Sequence, residues 1–181
     1  MEIELLKYPT EEDWMMVKRC ALVTIGKQPI TPPTMDWKKK ILEARHSPIR
    51  ELNFVFYLHN VPSWVATHLV RHHVGFQPYV KSQRNDRQAE YDRNAARQDT
   101  PVDMIWSMNA EALMTFANKR LCKQASVETR NVANIMCSTV LEVCSEFEGL
   151  LVPMCRYHGG TCHEMYPCYT SVENSGTDAN E

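Results

Sequence analysis

The strongest constraint on the fold is a run of alternating apolar residues that begins near residue 52. Leu52, Phe54 and Phe56 fall on one face of an extended segment that reaches His59, while Val55 and Tyr57 fall on the other. Because side chains alternate across a strand, this run predicts a β-strand that is covered on both faces. Such a strand needs neighbours in a sheet and helices packed on it.

Other segments carry the patterns expected for those neighbours. Ile3 to Tyr8 alternates well enough for a first strand, and the run Thr10-Glu11-Glu12-Asp13 resembles a helix capping box. Helical patterns follow over residues 10–25, 36–44, 62–73, 100–121 and 126–151. The polar run 81–98 predicts an exposed loop that passes into a weak helix. The predicted fold class is α+β, with helices packed on a small antiparallel or mixed sheet.

Size and charge narrow the class of protein. A chain of 181 residues, 44% of them apolar, suits one compact domain with its own core. A net charge of -2 gives no overall attraction to nucleic acid polymers or anionic membranes. The acidic start and the lack of an uncharged stretch of about 20 residues predict a cytoplasmic protein without a membrane span. We expect a domain over 1–152, a Cys/His-rich extension over 153–172 and a disordered tail over 173–181.

One short stretch concentrates groups suited to binding an anion. His68 and His72 share a helix face at i and i+4, and Arg71 lies beside them. The next loop adds a hydroxyl, an amide and a second guanidinium from the run 82–84. The alternative is a solvated helix end, where Arg and His favour the negative pole of the helix dipole.

The order of these residues resembles the signature of the flavin-dependent thymidylate synthases. That signature is Arg-His-Arg, seven residues, then Ser-x-Arg; here Arg71-His72-His73 is followed by eight residues and Ser82-Gln83-Arg84. His46-Ser47-Pro48-Ile49, and Val61 to Ala66, are similar to the segments that precede the signature. Asn109 to Arg120 resembles the family's Asn-Ala-Arg-Ser-Leu-x-x-Phe-x-x-x-Arg helix, and the resemblance extends over roughly residues 15 to 150.

Three departures from the family pattern bear on the substrate. His73 replaces a guanidinium with a group that is mostly neutral at pH 7, and Glu111 stands where the family has Arg. The segment 85–108 is also shorter than in the family.

The resemblance implies an activity. It implies FAD-dependent transfer of a one-carbon group to C5 of a deoxyuridine nucleotide, converting dUMP to dTMP. Methylenetetrahydrofolate and NADPH would be co-substrates, and the family's sites between subunits imply a homotetramer.

The resemblance also implies roles for single residues. Those expected to contact FAD are Ser47, His68, Arg71, His72 and Asn109. Those expected to bind the nucleotide are Ser82, Gln83, Arg84 and Arg120, and Arg120 at the pyrimidine edge is the expected catalytic residue. Two alternatives stay open. The same fold and flavin would act on another pyrimidine nucleotide or give a hydroxymethyl product, or the chain is a zinc-stabilised binding protein without activity.

The extension over 153–172 suggests a metal as one interpretation. Cys155, His158, Cys162 and Cys168 are soft ligands spaced closely enough for a tetrahedral zinc site, with His163 adjacent. Buried thiols beside a Gly159-Gly160 turn are the alternative interpretation.

Overall fold

A computed structural model describes residues 1–88 and 91–168 of the chain. Four strands form one antiparallel sheet in the order β1-β2-β4-β3; they are β1 (Glu2–Lys7), β2 (Asn53–Pro62), β3 (Phe76–Val80) and β4 (Pro101–Asn109). The helices are α1 (Glu11–Val23), α2 (Met35–Glu43), α3 (Ser63–Leu69), α4 (Ala110–Arg120), α5 (Val127–Val143) and α6 (Met154–Tyr157). Two short 3-10 turns cover Ser47–Glu51 and Ser145–Phe147. The predicted α+β class is confirmed, and the predicted tail at 173–181 lies outside the described residues.

The strand predicted from the alternating run is confirmed as β2, which lies inside the sheet. Phe56 lies opposite Leu5 of β1 and Trp106 of β4. Phe54, Phe56 and Trp106 are fully buried on the face that carries the core. The prediction of cover on both faces is wrong for the single chain, because Val55 and Tyr57 on the opposite face are only half-buried.

The prediction of one helix over 100–121 is also wrong. Residues 101–109 form the strand β4, and the helix begins only at Ala110. Met104 and Met108 are four residues apart, a spacing that fits one helix face but also one face of a strand. Val102 and Trp106 are buried on that same face, so the period of two decides the structure.

Four smaller differences concern the remaining elements. β3 was not predicted because Pro78 interrupts it, but an edge strand tolerates proline. The helix predicted over 62–73 ends at Leu69, and the last long helix ends at Val143 rather than Leu151. No helix forms within 81–98 among the residues described there.

A buried polar contact joins α1 to the segment after α5. The capping box at Thr10 is present, with the Asp13 amide donating to Thr10 Oγ1 at 3.4 Å. One turn into α1, Trp14 Nε1 donates to the buried Glu146 carboxylate at 2.9 Å. The Lys38 ammonium lies 5.2 Å from the Trp14 ring centroid. Across the described residues, no helix has the length and apolar character needed to cross a membrane.

Candidate functional site

Two predicted site residues meet where α3 and α4 end. Arg120 is the last residue of α4, and His72 follows the C-terminal end of α3, where its amide donates to the Leu69 carbonyl at 3.1 Å. Arg120 Nε donates to His72 Nε2 at 2.9 Å. Since the guanidinium can only donate, Nε2 accepts and the neutral ring carries its proton on Nδ1.

The surroundings of His72 keep its ring neutral. Its centroid lies 5.3 Å from that of Phe76, 6.1 Å from Trp106 and 5.4 Å from Phe116. Burial, followed by the positive charge of Arg120, lowers the pKa of His72 to about 4. Burial also lowers the pKa of Arg120 from its ordinary value. An arginine nevertheless stays charged near neutral pH, so the pair carries one fixed positive charge.

Two small cavities that share lining residues of α3 contain other predicted residues. One cavity of about 260 Å³ is lined by Trp64, His68, Arg71 and Gln98. The His68 ring stands edge-on to Trp64 with 5.6 Å between centroids. This cavity therefore brings His68 and Arg71 together, as the helical spacing predicts.

The second cavity, also about 260 Å³, shares Ser63 and Thr67 with the first and adds Lys81 and Gln83. Gln83 therefore lies near α3 although it follows the strand β3. This places one of the three predicted loop residues beside the helix that carries His68 and precedes Arg71.

The other two loop residues interact with each other and with a neighbouring acid. The Arg84 guanidinium donates to both carboxylate oxygens of Asp86, at 2.9 and 2.7 Å. The backbone amide of Arg84 donates to Ser82 Oγ at 3.3 Å. Arg84 is exposed. An anionic ligand would therefore have to replace Asp86 at this guanidinium.

Asn109 has a structural function that the sequence prediction did not include. It is the N-cap of α4, and its Oδ1 accepts from the Ala112 amide at 2.9 Å. The Asn109 amide donates to the carbonyl of Gly75 at 3.1 Å. Gly75 has φ of +80°, and a Cβ there would lie 2.7 Å from Asn109 Nδ2. The backbone of residue 75 thus passes close to the start of α4 because it lacks a side chain.

An ion pair missed by the sequence analysis lines a third cavity beside Asn109. Arg50 Nε contacts Glu111 Oε2, 61 residues further along the chain, at the edge of a cavity of about 310 Å³. Glu111 is the residue that departs from the family pattern. Ser47 is the exposed first residue of the 3-10 turn that also carries Arg50.

The structure does not support the zinc hypothesis for Cys155, His158, Cys162 and Cys168. Across the described residues, no three or more His, Cys, Asp or Glu side chains are grouped so as to hold a metal ion. The physical reason is the path of the extension, which folds back on the connection between α4 and α5. Gln124 Nε2 donates to the Tyr166 carbonyl at 2.6 Å.

The residues around α3 fit one part of a flavin dinucleotide but do not enclose it. Arg71, His68 and Gln98 offer hydrogen bonds beside the aromatic face of Trp64. Each cavity beside α3 is smaller than the about 300–1,000 Å³ typical of ligand sites. A group as large as FAD would therefore need a further wall.

The chain has the α+β fold of the flavin-dependent thymidylate synthases. It is similar to the Helicobacter pylori thymidylate synthase ThyX, whose structure is described with FAD and dUMP, at 16% identity over 83% of this chain and 99% of that one, with a TM-score of 0.65. It is also similar to the UMP/dUMP methylase PolB of Streptomyces cacaoi, at 16% identity over 83% and 96% of the two chains, with a TM-score of 0.63.

A family model also matches part of the chain. The family model Thy1, described as thymidylate synthase complementing protein, matches residues 86–145, which include Asn109 and Arg120. A search of curated proteins by sequence finds no match. The shared fold and this match confirm the resemblance to the flavin-dependent thymidylate synthases predicted from the sequence.

Proposed function

We propose that the protein is an FAD-dependent enzyme that transfers a one-carbon group to C5 of a deoxyuridine nucleotide, converting dUMP to dTMP. The observation that carries this proposal is the contact between Arg120 and His72, within a fold shared with enzymes of this kind. The contact holds a fixed guanidinium at the end of α4, the position that the family pattern assigns to the pyrimidine edge.

Arg120 has the charge that the chemistry needs. Uracil C5 becomes nucleophilic when negative charge develops on the ring oxygens, and a preorganised cation stabilises that charge. Because neutral His72 takes the Nε–H of Arg120, the two terminal nitrogens of the guanidinium are left to donate to a carbonyl oxygen. The aromatic side chains around His72 fix the direction of the whole group.

Arg71 and His68 are proposed to bind FAD, with Ser47, His72 and Asn109 completing the contacts implied by the resemblance. The reduced flavin supplies a hydride when it is bound, and methylenetetrahydrofolate and NADPH are the proposed carbon donor and reductant. Arg71 is exposed and lines the cavity beside α3, so it is free to donate to a phosphate. His72 would contribute mainly by orienting Arg120.

The nucleotide phosphate is proposed to bind the run Ser82 to Arg84. Arg84 presents a planar fork that already holds a carboxylate in two-point contact, which is the geometry that a phosphate also accepts. Phosphate binding would exchange Asp86 for the ligand. Gln83 would reach the same ligand from the cavity beside α3.

A homotetramer is proposed because the single chain leaves both the site and the sheet incomplete. The cavities beside α3 do not enclose a dinucleotide, and Tyr79, on the face of the sheet opposite the core, is 65% exposed. Val55 and Tyr57 on that face are half-buried. Partner subunits would cover this face and complete the binding sites.

A second candidate substrate is UMP. The similarity to an enzyme named a UMP/dUMP methylase is nearly as strong as that to the thymidylate synthase. The Arg50–Glu111 pair supports a change in substrate, since it puts a neutralised carboxylate where the family has a cation.

Product analysis with purified protein tests the proposal. The protein is incubated with FAD, methylenetetrahydrofolate and NADPH, and with dUMP or UMP in parallel, and the nucleotide is analysed by mass spectrometry. We expect a methylated product from dUMP and bound flavin absorbance that Arg71→Ala weakens, with Arg19→Ala on α1 as the control. A protein that takes up no FAD and leaves both nucleotides unchanged would contradict the proposal.

A further inference from the structure

A cavity of about 610 Å³, larger than those beside α3, lies between the α4–α5 connection, α5 and the segment before α6. Its polar lining consists of Lys123, Arg130, Asn134 and Arg156. Among the described residues that line it, none is acidic. Three positive charges therefore face one concave surface, which focuses a positive potential there.

Arg130 is held in position before any ligand arrives. Its Nη1 donates to the carbonyls of Lys123 and Ala125, both at 3.3 Å, in the connection before α5. Both contacts use Nη1, so neither occupies Nε or Nη2 of Arg130. A fork that is already oriented loses less conformational entropy when it binds an anion.

The remaining wall is apolar. It consists of Leu121 and the run Leu151, Val152 and Pro153. The cavity volume falls within the range of small-molecule sites and exceeds the space that a bare phosphate needs. An anion with an apolar body would fill the cavity better than an inorganic ion.

We propose that this cavity is a second anion site, which binds a nucleoside diphosphate with its phosphates on Lys123, Arg130 and Arg156 and its base against the apolar wall. Two phosphates carry about three negative charges, which matches the three cations. The site uses none of the residues assigned to FAD or dUMP, so it goes beyond the proposed activity. Leu121 of the wall follows Arg120 directly in the chain, so a ligand here would lie next to the end of α4.

Calorimetric titration of ADP into the full chain tests the site. We expect ADP to bind more tightly than inorganic pyrophosphate, because only ADP contacts the apolar wall. Arg156→Glu should weaken ADP binding by at least about tenfold, since it replaces an attraction by a repulsion. Arg156 is exposed, so this variant should fold; Arg130→Gln provides a second, milder loss without charge reversal.

Two controls separate this cavity from other cations. Arg19→Gln removes an exposed charge from a different cavity, which also contains Glu11 and Glu12, and should leave ADP affinity unchanged. Arg71→Ala should do the same, since Arg71 does not line this cavity. ADP binding that is lost in Arg71→Ala but kept in Arg156→Glu would place the ligand at the proposed FAD site and overturn the proposal. Absence of ADP binding, or equal affinity for ADP and pyrophosphate, would overturn it too.

Discussion

The Nε atom of Arg120 lies 2.9 Å from Nε2 of His72, so a permanent cation is held by a ring that must stay neutral to accept its hydrogen. Arg120, Lys119 and His73 all disfavour a second positive charge on this ring. The contact therefore depends on pH, and it joins the ends of α3 and α4.

The first prediction concerns stability against pH. The pKa of His72 is about 4 in the folded chain, below its ordinary value of 6.5, so the unfolded chain binds the proton more tightly. The stabilisation is complete above pH 6.5 and is lost as the pH falls toward 4. After allowance for the solvent around a half-buried ring, we expect a loss of about 1–2 kcal/mol.

Urea unfolding at pH 7 and pH 4.5 measures this loss in the wild-type chain and in His72→Gln. The variant cannot titrate at this position, so its free energy of unfolding should fall less between the two pH values. Trp106 lies 6.1 Å from the His72 ring, so its fluorescence gives a local signal. An identical pH dependence in both chains would contradict the assignment.

The second prediction concerns catalysis by Arg120. Arg120→Lys keeps the positive charge but loses the planar fork that donates to His72 and to the proposed pyrimidine carbonyl. We expect kcat to fall about 10²–10³-fold, the cost of removing one preorganised donor. Lys119→Gln is the matched control, because it removes an exposed charge one residue earlier on α4. Full activity in Arg120→Lys together with a loss in Lys119→Gln would mean that only the charge of the helix end matters.

The third prediction concerns the close approach of Gly75 to Asn109. Gly75→Ala places a methyl group 2.7 Å from Asn109 Nδ2 and 3.0 Å from Ala112 Cβ, at a φ that alanine rarely adopts. We expect a loss of about 2–3 kcal/mol in the free energy of unfolding.

Gly26→Ala is the control for backbone strain alone. Gly26 has φ of +68°, but a Cβ there meets nothing within 4 Å. The difference between the two variants in urea unfolding therefore isolates the steric term. If both variants lose the same stability, the packing of residue 75 against the α4 cap contributes nothing.

The sequence predicts features that depend on local residue patterns better than features that depend on distant contacts. β2 could be predicted because the run that contains Phe54, Val55, Phe56 and Tyr57 is short and rich in aromatic and β-branched residues, which favours a strand. β4 could not, since Met104 and Met108 fit either period and the choice depends on pairing with β2 and β3. The local sequence was therefore enough to predict β2, whereas β4 depends on its pairing with β2 and β3.

The candidate site shows the same limit. The spacing of His68 and Arg71 predicts their shared cavity, because both lie within two turns of one helix end. His72 and Arg120 are 48 residues apart in the chain, so no local sequence pattern predicts their contact. The spacing of the cysteines after residue 155 suggested a metal, but spacing does not specify the path of an irregular segment.

The fourth prediction concerns the buried contact between Trp14 and Glu146, which joins α1 to the 3-10 turn after α5. Glu146→Leu leaves Trp14 Nε1 without its acceptor in a site where Trp14 is 1% exposed. An unsatisfied buried donor costs about 1–3 kcal/mol, and we expect a loss of that size in the free energy of unfolding.

Adding Trp14→Phe to Glu146→Leu removes the orphaned donor. The double variant should therefore lose less than the sum of the single losses, as a double-mutant cycle measures. Glu148→Leu, at an exposed position two residues away, controls for the loss of a carboxylate in this segment. Strictly additive losses would show that the indole and the carboxylate do not interact, and that another group satisfies the indole nitrogen.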